Sequence, residues 1–189
     1  MIETYPDGAT LADAAARAIA TRLADSLRSQ GRAALVATGG RSPGPVYDRL
    51  RDADVDWPRV VVTLSDDRCV AEDHPDSNAG LVRARLLTGP AAKAHMLPLW
   101  PAPDPRALQA LSPFDAVMLG MGEDGHVASL IPGDPALEAG LTTADLIREV
   151  PAGLGKPPLA RVTLTLSALL NSRAIFLLIA GEAKRGVIE

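Results

Sequence analysis

Cysteine and histidine are scarce in this chain. Its 189 residues include one cysteine, Cys69, and three histidines. A single cysteine excludes an internal disulfide framework and favours a reducing compartment, so we expect a cytoplasmic protein. The scattered histidines and the cysteine lack the spacing of a metal-ligand cluster, and the sequence therefore predicts no metal site.

Basic charge and long apolar runs are also missing. The net charge is −4, which offers no basic patch to a nucleic acid or an anionic membrane surface. No apolar run approaches the roughly 20 residues that cross a bilayer, and the first residues show no signal-peptide pattern. Neither a nucleophile elbow nor a P-loop is present. A hydrophobic content of 47% with 22% charged residues is instead typical of a globular domain.

Segments typical of helices and strands alternate along the chain. Apolar residues recur every fourth position between residues 9 and 30, and Gly31 follows, which predicts the clearest helix. We count about six strands, of which the clearest are Ala33–Ala37, Val60–Leu64, Ala116–Leu119, Arg161–Leu166 and Ala174–Ala180. The alternation favours a single α/β domain over residues 1–189, with a mostly parallel sheet covered on both faces.

The end of the chain is expected to pass from a strand into a helix. The run Ala174–Ala180 is apolar throughout and predicts a fully buried strand. Gly181 to Lys184 should open a helix that continues to the last residue, Glu189. We expect a further segment to follow this helix in the complete domain.

The stretch Phe114–Asp134 carries the strongest candidate for catalysis. Its apolar run breaks into a glycine-rich loop that contains Asp124 and His126, separated only by Gly125. Ligands of open α/β sheets bind in the loops beyond the carboxyl ends of the strands. An imidazole oriented by a carboxylate is a good general base, and we predict that role for His126. The alternative is that Asp124 caps a helical turn and His126 is an ordinary loop residue.

Two other predicted strands also end in polar loops. Thr38 to Pro43 follows the first strand, with Ser42 as an expected N-cap and Pro43 as the first helical residue. Free N–H groups at this helix start, with Arg41 alongside, predict a phosphate site, and an ordinary tight turn is the alternative. Ser65 to Arg68 follows another strand and should face the same rim. Arg68 is either part of the site or an ion-pair partner of Asp66 or Asp67.

Several segments together resemble the 6-phosphogluconolactonase family of the glucosamine-6-phosphate isomerase-like superfamily. The most specific is LGMGEDGHVASLIPG at Leu119–Gly133. The others are Thr38–Pro43, Asp66–Arg68, Asp76–Asn78, Lys156 to Thr163, and Gly181 with Lys184. They cover nearly the whole chain in the family's order. The sequence departs from the pattern mainly at Arg41, where the family usually has Ser and where a long cation would change how a phosphate is held.

The resemblance implies hydrolysis of 6-phospho-D-glucono-1,5-lactone to 6-phosphogluconate in the oxidative pentose phosphate pathway. It also implies a Rossmann-like three-layer α/β/α fold and no required cofactor. The expected partner is a small sugar phosphate lactone, with no role for a nucleic acid or a membrane. The expected catalytic residues are His126, Asp124 and Arg68. The expected residues for the substrate and its phosphate are Gly39, Gly40, Arg41, Ser42, Asp66, Lys156 and Arg161.

Two other functions occur on the same fold. A sugar-phosphate isomerase or deaminase removes a proton from C2 and, in its family, places a Glu shortly after the Gly-His segment. The residues from Val127 to Pro132 contain no acid. A sugar-phosphate-sensing domain of a transcription regulator would carry an attached DNA-binding helix pair, and residues 1–32 contain one long helix.

Overall fold

The computed structural model describes residues 2–188, apart from the side chains of residues 182 and 183. Within that range the α-helices are α1 Gly8–Gln30, α2 Pro43–Leu50, α3 Asn78–Arg85, α4 Pro105–Leu111, α5 Leu137–Thr142, α6 Leu166–Leu170 and α7 Glu182–Ile188. The strands are β1 Ala33–Ala37, β2 Val60–Leu64, β3 Asp66–Arg68, β4 His95–Met96, β5 Ala116–Gly120, β6 Ile147–Val150, β7 Arg161–Leu164 and β8 Ile175–Leu178.

The main sheet is parallel and contains five strands, in the order β4-β2-β1-β5-β8. Every residue of β1 is buried, as are most residues of β2 and β5. These apolar runs are continuous because helices cover both faces of a parallel sheet, so neither face needs polar residues. The predicted α/β class and its mostly parallel sheet are therefore confirmed.

The prediction of about six strands in one sheet was wrong. The strand predicted at Arg161–Leu166 is β7, which lies in a second, antiparallel sheet of order β3-β7-β6. Ser65 joins the two sheets, since its N–H donates to the carbonyl of Ala37 at 2.7 Å and its own carbonyl accepts from Leu164 N–H at 2.8 Å. The chain thus leaves the main sheet immediately after β2.

Helix α1 is built as its sequence pattern predicts. Asp7 caps its first turn by accepting a hydrogen bond from the N–H of Thr10 at 2.7 Å. Gly31 ends it with a φ of 76°, a left-handed conformation that glycine adopts without strain. Ile19 and Leu23 are fully buried in the core. In residues 2–188, no helix combines the length and the apolar character needed to cross a membrane.

Strand β8 is only partly buried, which corrects the prediction of a fully buried strand at Ala174–Ala180. Ile175 is 42% exposed and Leu177 is 43% exposed. The physical reason is position, because β8 is the edge strand of the main sheet and, within residues 2–188, pairs with β5 alone.

Candidate active site

A cleft lies where the carboxyl ends of β1, β2 and β5 meet. The register pairs Ala37 of β1 with Leu64 of β2, so their following loops leave the sheet at the same edge. The cavity within the cleft has a volume of about 140 Å³. It is lined by Thr38, Gly39, Gly40, Arg41, Ser42, Pro43, Asp66, Arg68, Asn78, Gly120, Met121, Gly122, His126, Ala128, Arg161 and Lys184. The predicted meeting of three strand-end loops on one rim is confirmed.

Asp124 and His126 form a hydrogen-bonded pair. The Nδ1 atom of His126 lies 2.5 Å from the Oδ1 atom of Asp124. The next helix begins only at Leu137, so Asp124 contacts the imidazole instead of capping a helical turn. Burial acts to raise the pKa of Asp124, but hydrogen bonds from the side chain and backbone of His126 outweigh it, and the pKa is lowered. Asp124 is therefore ionised at neutral pH and can only accept the Nδ1 proton.

Glycines make this tight pair possible. Gly125 turns the chain with a φ of 85°, and the N–H of Gly122 donates to the carbonyl of His126 at 2.8 Å. A Cβ atom added at Gly122 would lie 2.3 Å from Nδ1 of His126 and 2.4 Å from Oδ1 of Asp124. A side chain at position 122 would therefore displace the pair.

Arg68 is held by oxygen atoms at the N-terminal end of α3. Its Nη1 donates to the carbonyl of Asp76 at 2.7 Å and to Oδ1 of Asn78 at 3.0 Å. Among the described residues, neither Asp66 nor Asp67 forms an ion pair with Arg68. The alternative that Arg68 is the ion-pair partner of one of these carboxylates is therefore excluded. The Nε atom of Arg68 is buried without a protein partner. A buried donor of this kind needs a partner, and a substrate oxygen in the cleft would supply one.

Arg161 also lines the cleft and is only 2% exposed. Its Nη1 lies 4.0 Å from Oδ2 of Asp66, and its Nε atom is also buried without a protein partner. Burial lowers the pKa of Arg161, and the nearby charge of Arg68 lowers it further. Two neighbouring guanidinium groups with free donors are suited to a bound anion.

Asp66 is a buried carboxylate that also lines the cleft. Its Oδ2 accepts a hydrogen bond from the hydroxyl of Ser129 at 2.6 Å, and its Oδ1 accepts one from Ser65 at 2.9 Å. The N–H of Ser129 in turn donates to the hydroxyl of Thr163 at 3.1 Å. These bonds fix the end of the His126 loop against the antiparallel sheet.

The loop after β1 lies in the cleft as predicted. Gly39, Gly40, Arg41 and Ser42 all contribute to the lining. Gly40 has a φ of 104°, a conformation that side chains other than glycine rarely adopt. Ser42 precedes α2, but the prediction that its side chain caps the helix was wrong, since Ser42 has helical dihedrals and makes no capping bond.

Asp124 does not itself line the cleft and reaches it through His126, and the other predicted site residue that does not line it is Lys156. It is exposed in the loop before β7. That loop holds Arg161 through its backbone, because the carbonyl of Pro157 accepts from Nη2 of Arg161 at 2.8 Å. The lysine that lines the cleft is Lys184 of α7, which belongs to the Gly181-x-x-Lys184 signal in the sequence. Asn78 also lines the cleft, and its signal was the Asp76-Ser77-Asn78 segment.

Comparisons with known proteins agree with this site. Residues 6–189 match the family described as glucosamine-6-phosphate isomerases/6-phosphogluconolactonase. A 6-phosphogluconolactonase of Caulobacter vibrioides is 40% identical over 199 residues, which cover 100% of this chain and 86% of that protein. A protein of the same name from Pseudomonas putida is 41% identical over 197 residues, which cover 100% of this chain and 81% of that protein.

A solved structure shows the same likeness in three dimensions. The crystal structure of a 6-phosphogluconolactonase from Shewanella baltica matches with a TM-score of 0.88 and 35% sequence identity, over 97% of this chain and 82% of that chain. The chain therefore belongs to the glucosamine-6-phosphate isomerase/6-phosphogluconolactonase family.

Proposed function

We propose that this protein is a 6-phosphogluconolactonase, which hydrolyses 6-phospho-D-glucono-1,5-lactone to 6-phosphogluconate in the pentose phosphate pathway. The observation that carries the proposal is the Asp124–His126 pair, with 2.5 Å between Oδ1 and Nδ1, in a cleft that is also lined by the buried Arg161 and the partly buried Arg68. Named relatives that match the full length of this chain support it. A cytoplasmic location is part of the same proposal.

His126 is the general base in this proposal. Because ionised Asp124 accepts the Nδ1 proton, the lone pair of the imidazole is on Nε2. Nε2 takes a proton from water as the water oxygen attacks the lactone carbonyl carbon. The bond from that carbon to the ring oxygen then breaks, and the ring oxygen receives the proton from His126. The product has one new carboxyl group and one new hydroxyl group.

Arg68 is proposed to stabilise the charge that develops on the carbonyl oxygen. The tetrahedral intermediate has an oxyanion where the lactone has a neutral carbonyl, so a fixed donor there lowers the barrier. The buried Nε of Arg68 is a donor without a protein partner. In this proposal His126 activates the water, and Arg68 stabilises the oxyanion.

Arg161 and the loop from Gly39 to Ser42 are proposed to bind the phosphate. Arg161 is buried in the cleft with a free Nε, and the loop lines the same cleft. Lys184 also lines the cleft and adds a positive charge there. Lys156, in contrast, does not line the cleft.

A direct assay tests the reaction itself. Freshly generated lactone is mixed with the protein, and formation of 6-phosphogluconate is followed after the spontaneous rate is subtracted. We expect saturable hydrolysis with the lactone and no release of ammonia from glucosamine 6-phosphate, because residues 127–132 carry no acid for proton removal at C2. Release of ammonia without lactone hydrolysis would contradict the proposal.

A further inference from the structure

Asn78 is buried at the junction of three segments that line the cleft. It is only 2% exposed, although its side chain is polar. Its Nδ2 donates to the carbonyl of Asp66 at 2.8 Å, and its own N–H donates to Oδ1 of Asp67 at 2.7 Å. Both hydrogen-bonding ends of the amide are used, since its Oδ1 accepts from Nη1 of Arg68 at 3.0 Å.

Gly39 lies directly against the same amide. A Cβ atom added at Gly39 would lie 1.8 Å from Oδ1 of Asn78 and 2.7 Å from its Nδ2. The glycine at this position therefore allows the loop after β1 to pack against Asn78. A larger residue would displace the amide.

The orientation of Arg68 depends on these contacts. Nη1 donates both to Asn78 and to the carbonyl of Asp76, while the buried Nε has no protein partner. A guanidinium is planar, so fixing one nitrogen at two acceptors sets the direction of the remaining N–H groups. Asn78 supplies an acceptor without a negative charge, which leaves the positive charge of Arg68 available to a ligand.

We infer that Asn78 is a positioning residue, which orients Arg68 so that its free N–H groups meet the developing oxyanion. This inference rests on the proposed lactonase function. It predicts that Asn78 contributes to the rate only through Arg68. A role confined to the stability of α3 would instead lower the melting temperature and leave the rate of folded protein unchanged.

The test is a double-mutant cycle on kcat with Asn78→Ala, Arg68→Ala and the double variant. Removal of an oxyanion donor costs on the order of 10²–10³-fold in kcat, which we expect for Arg68→Ala. Misplacement of such a group costs up to about 100-fold, and we expect Asn78→Ala to lower kcat by about 10- to 100-fold with little change in KM. In the Arg68→Ala background, Asn78→Ala should lower kcat less than about threefold.

An equal loss in both backgrounds would overturn the inference. If Arg68→Ala turns over too slowly to measure, Arg68→Lys replaces it, because an ammonium on a flexible stem has no planar fork to orient. The effect of Asn78→Ala should then be at least about fivefold smaller than in wild type. If Asn78→Ala does not fold, Asn78→Asp is used in the same cycle. Its carboxylate keeps the volume but neutralises Arg68, so kcat should fall only while Arg68 is present.

Ser77→Ala is the matched control. The Ser77 hydroxyl caps the same helix by accepting from the N–H of Gly80 at 3.1 Å and makes no bond to Arg68. This variant should melt at a lower temperature with kcat within about twofold of wild type. A loss of kcat equal to that of Asn78→Ala would assign the effect to α3 and overturn the inference. Wild-type protein without lactonase activity would overturn the proposed function, whereas an active wild type with an additive cycle would overturn only the role of Asn78.

Discussion

The Nδ1 atom of His126 and the Oδ1 atom of Asp124 are 2.5 Å apart, although only Gly125 separates the two residues in the chain. One short loop therefore contains both the proposed base and the carboxylate that orients it. Formation of the pair depends little on the folding of distant segments. The position of the pair in the cleft, in contrast, depends on contacts with residues far away in the chain. Bonds from Ser129 to Asp66 and to Thr163 fix that place.

Asp124→Asn should lower kcat, because an amide no longer selects the Nδ1–H form of His126. The loss should not exceed the factor of about 10²–10⁴ expected for removal of a general base. Steady-state kinetics on purified protein measure it. Glu123→Gln is the control, since it removes the neighbouring charge from the same loop and Glu123 does not line the cleft. Equal effects of the two substitutions would assign the defect to loop charge.

The lowered pKa of Asp124 also predicts a pH dependence of stability. A carboxyl group whose pKa is lower in the folded protein contributes stability above its unfolded value of about 3.9 and loses it as the pH falls through the folded value. The melting temperature of Asp124→Asn should therefore lie below that of wild type at pH 6. The difference between the two melting temperatures should shrink as the pH falls below about 4. Thermal melts across that range measure it. A difference that grows on acidification would contradict the direction of the shift.

Gly122→Ala should disrupt the pair by steric contact alone. The added Cβ would lie 2.3 Å from Nδ1 of His126, so the imidazole must move. We expect kcat to fall by on the order of 10-fold or more, because a shift of about 1 Å costs up to 100-fold. Gly8→Ala is the control, since a Cβ at Gly8 meets no atom within 4 Å. Unchanged kcat in Gly122→Ala would show that the pair is not needed in this geometry.

Arg161→Ala should mainly raise KM. A contact to the phosphate is remote from the reacting carbon and stabilises the bound substrate and the transition state alike. A hydrogen bond between charged groups contributes about 1.5–3 kcal/mol, which corresponds to a rise in KM of about 10- to 100-fold.

The control for Arg161→Ala is a second arginine, which is partly buried. Arg148 pairs with Asp134 at 2.7 Å and does not line the cleft. Arg148→Ala should reduce the melting temperature without a comparable rise in KM. If Arg161→Ala lowers kcat and leaves KM unchanged, the proposed role of Arg161 in phosphate binding is wrong.

The sequence predicted the central strands well because burial on both faces leaves a continuous apolar run. The predicted bounds of β1 and β2, Ala33–Ala37 and Val60–Leu64, are those of the structure. Strand β8 has the same kind of run, but its position at the edge depends on long-range pairing. For that reason the exposure of Ile175 and Leu177 could not be predicted locally.

The sequence predicted those contacts of the site that join residues close together in the chain. Asp124 and His126 share one loop, so their contact follows from local geometry. The antiparallel pairing of Arg68 with Arg161 joins residues 93 positions apart, and nothing local specifies that register. The sequence also could not show that Lys184, and not Lys156, lines the cleft. Which of the two lysines lies there depends on how the distant segments that carry them fold together.

The most direct measurement is kcat for lactone hydrolysis by wild type and by His126→Ala, after subtraction of the spontaneous rate. Loss of a general base costs on the order of 10²–10⁴-fold, and we expect His126→Ala to lose kcat by that factor while KM stays within a few-fold. A His126→Ala protein with near-normal kcat would contradict this role of His126 and would assign the general base to another residue.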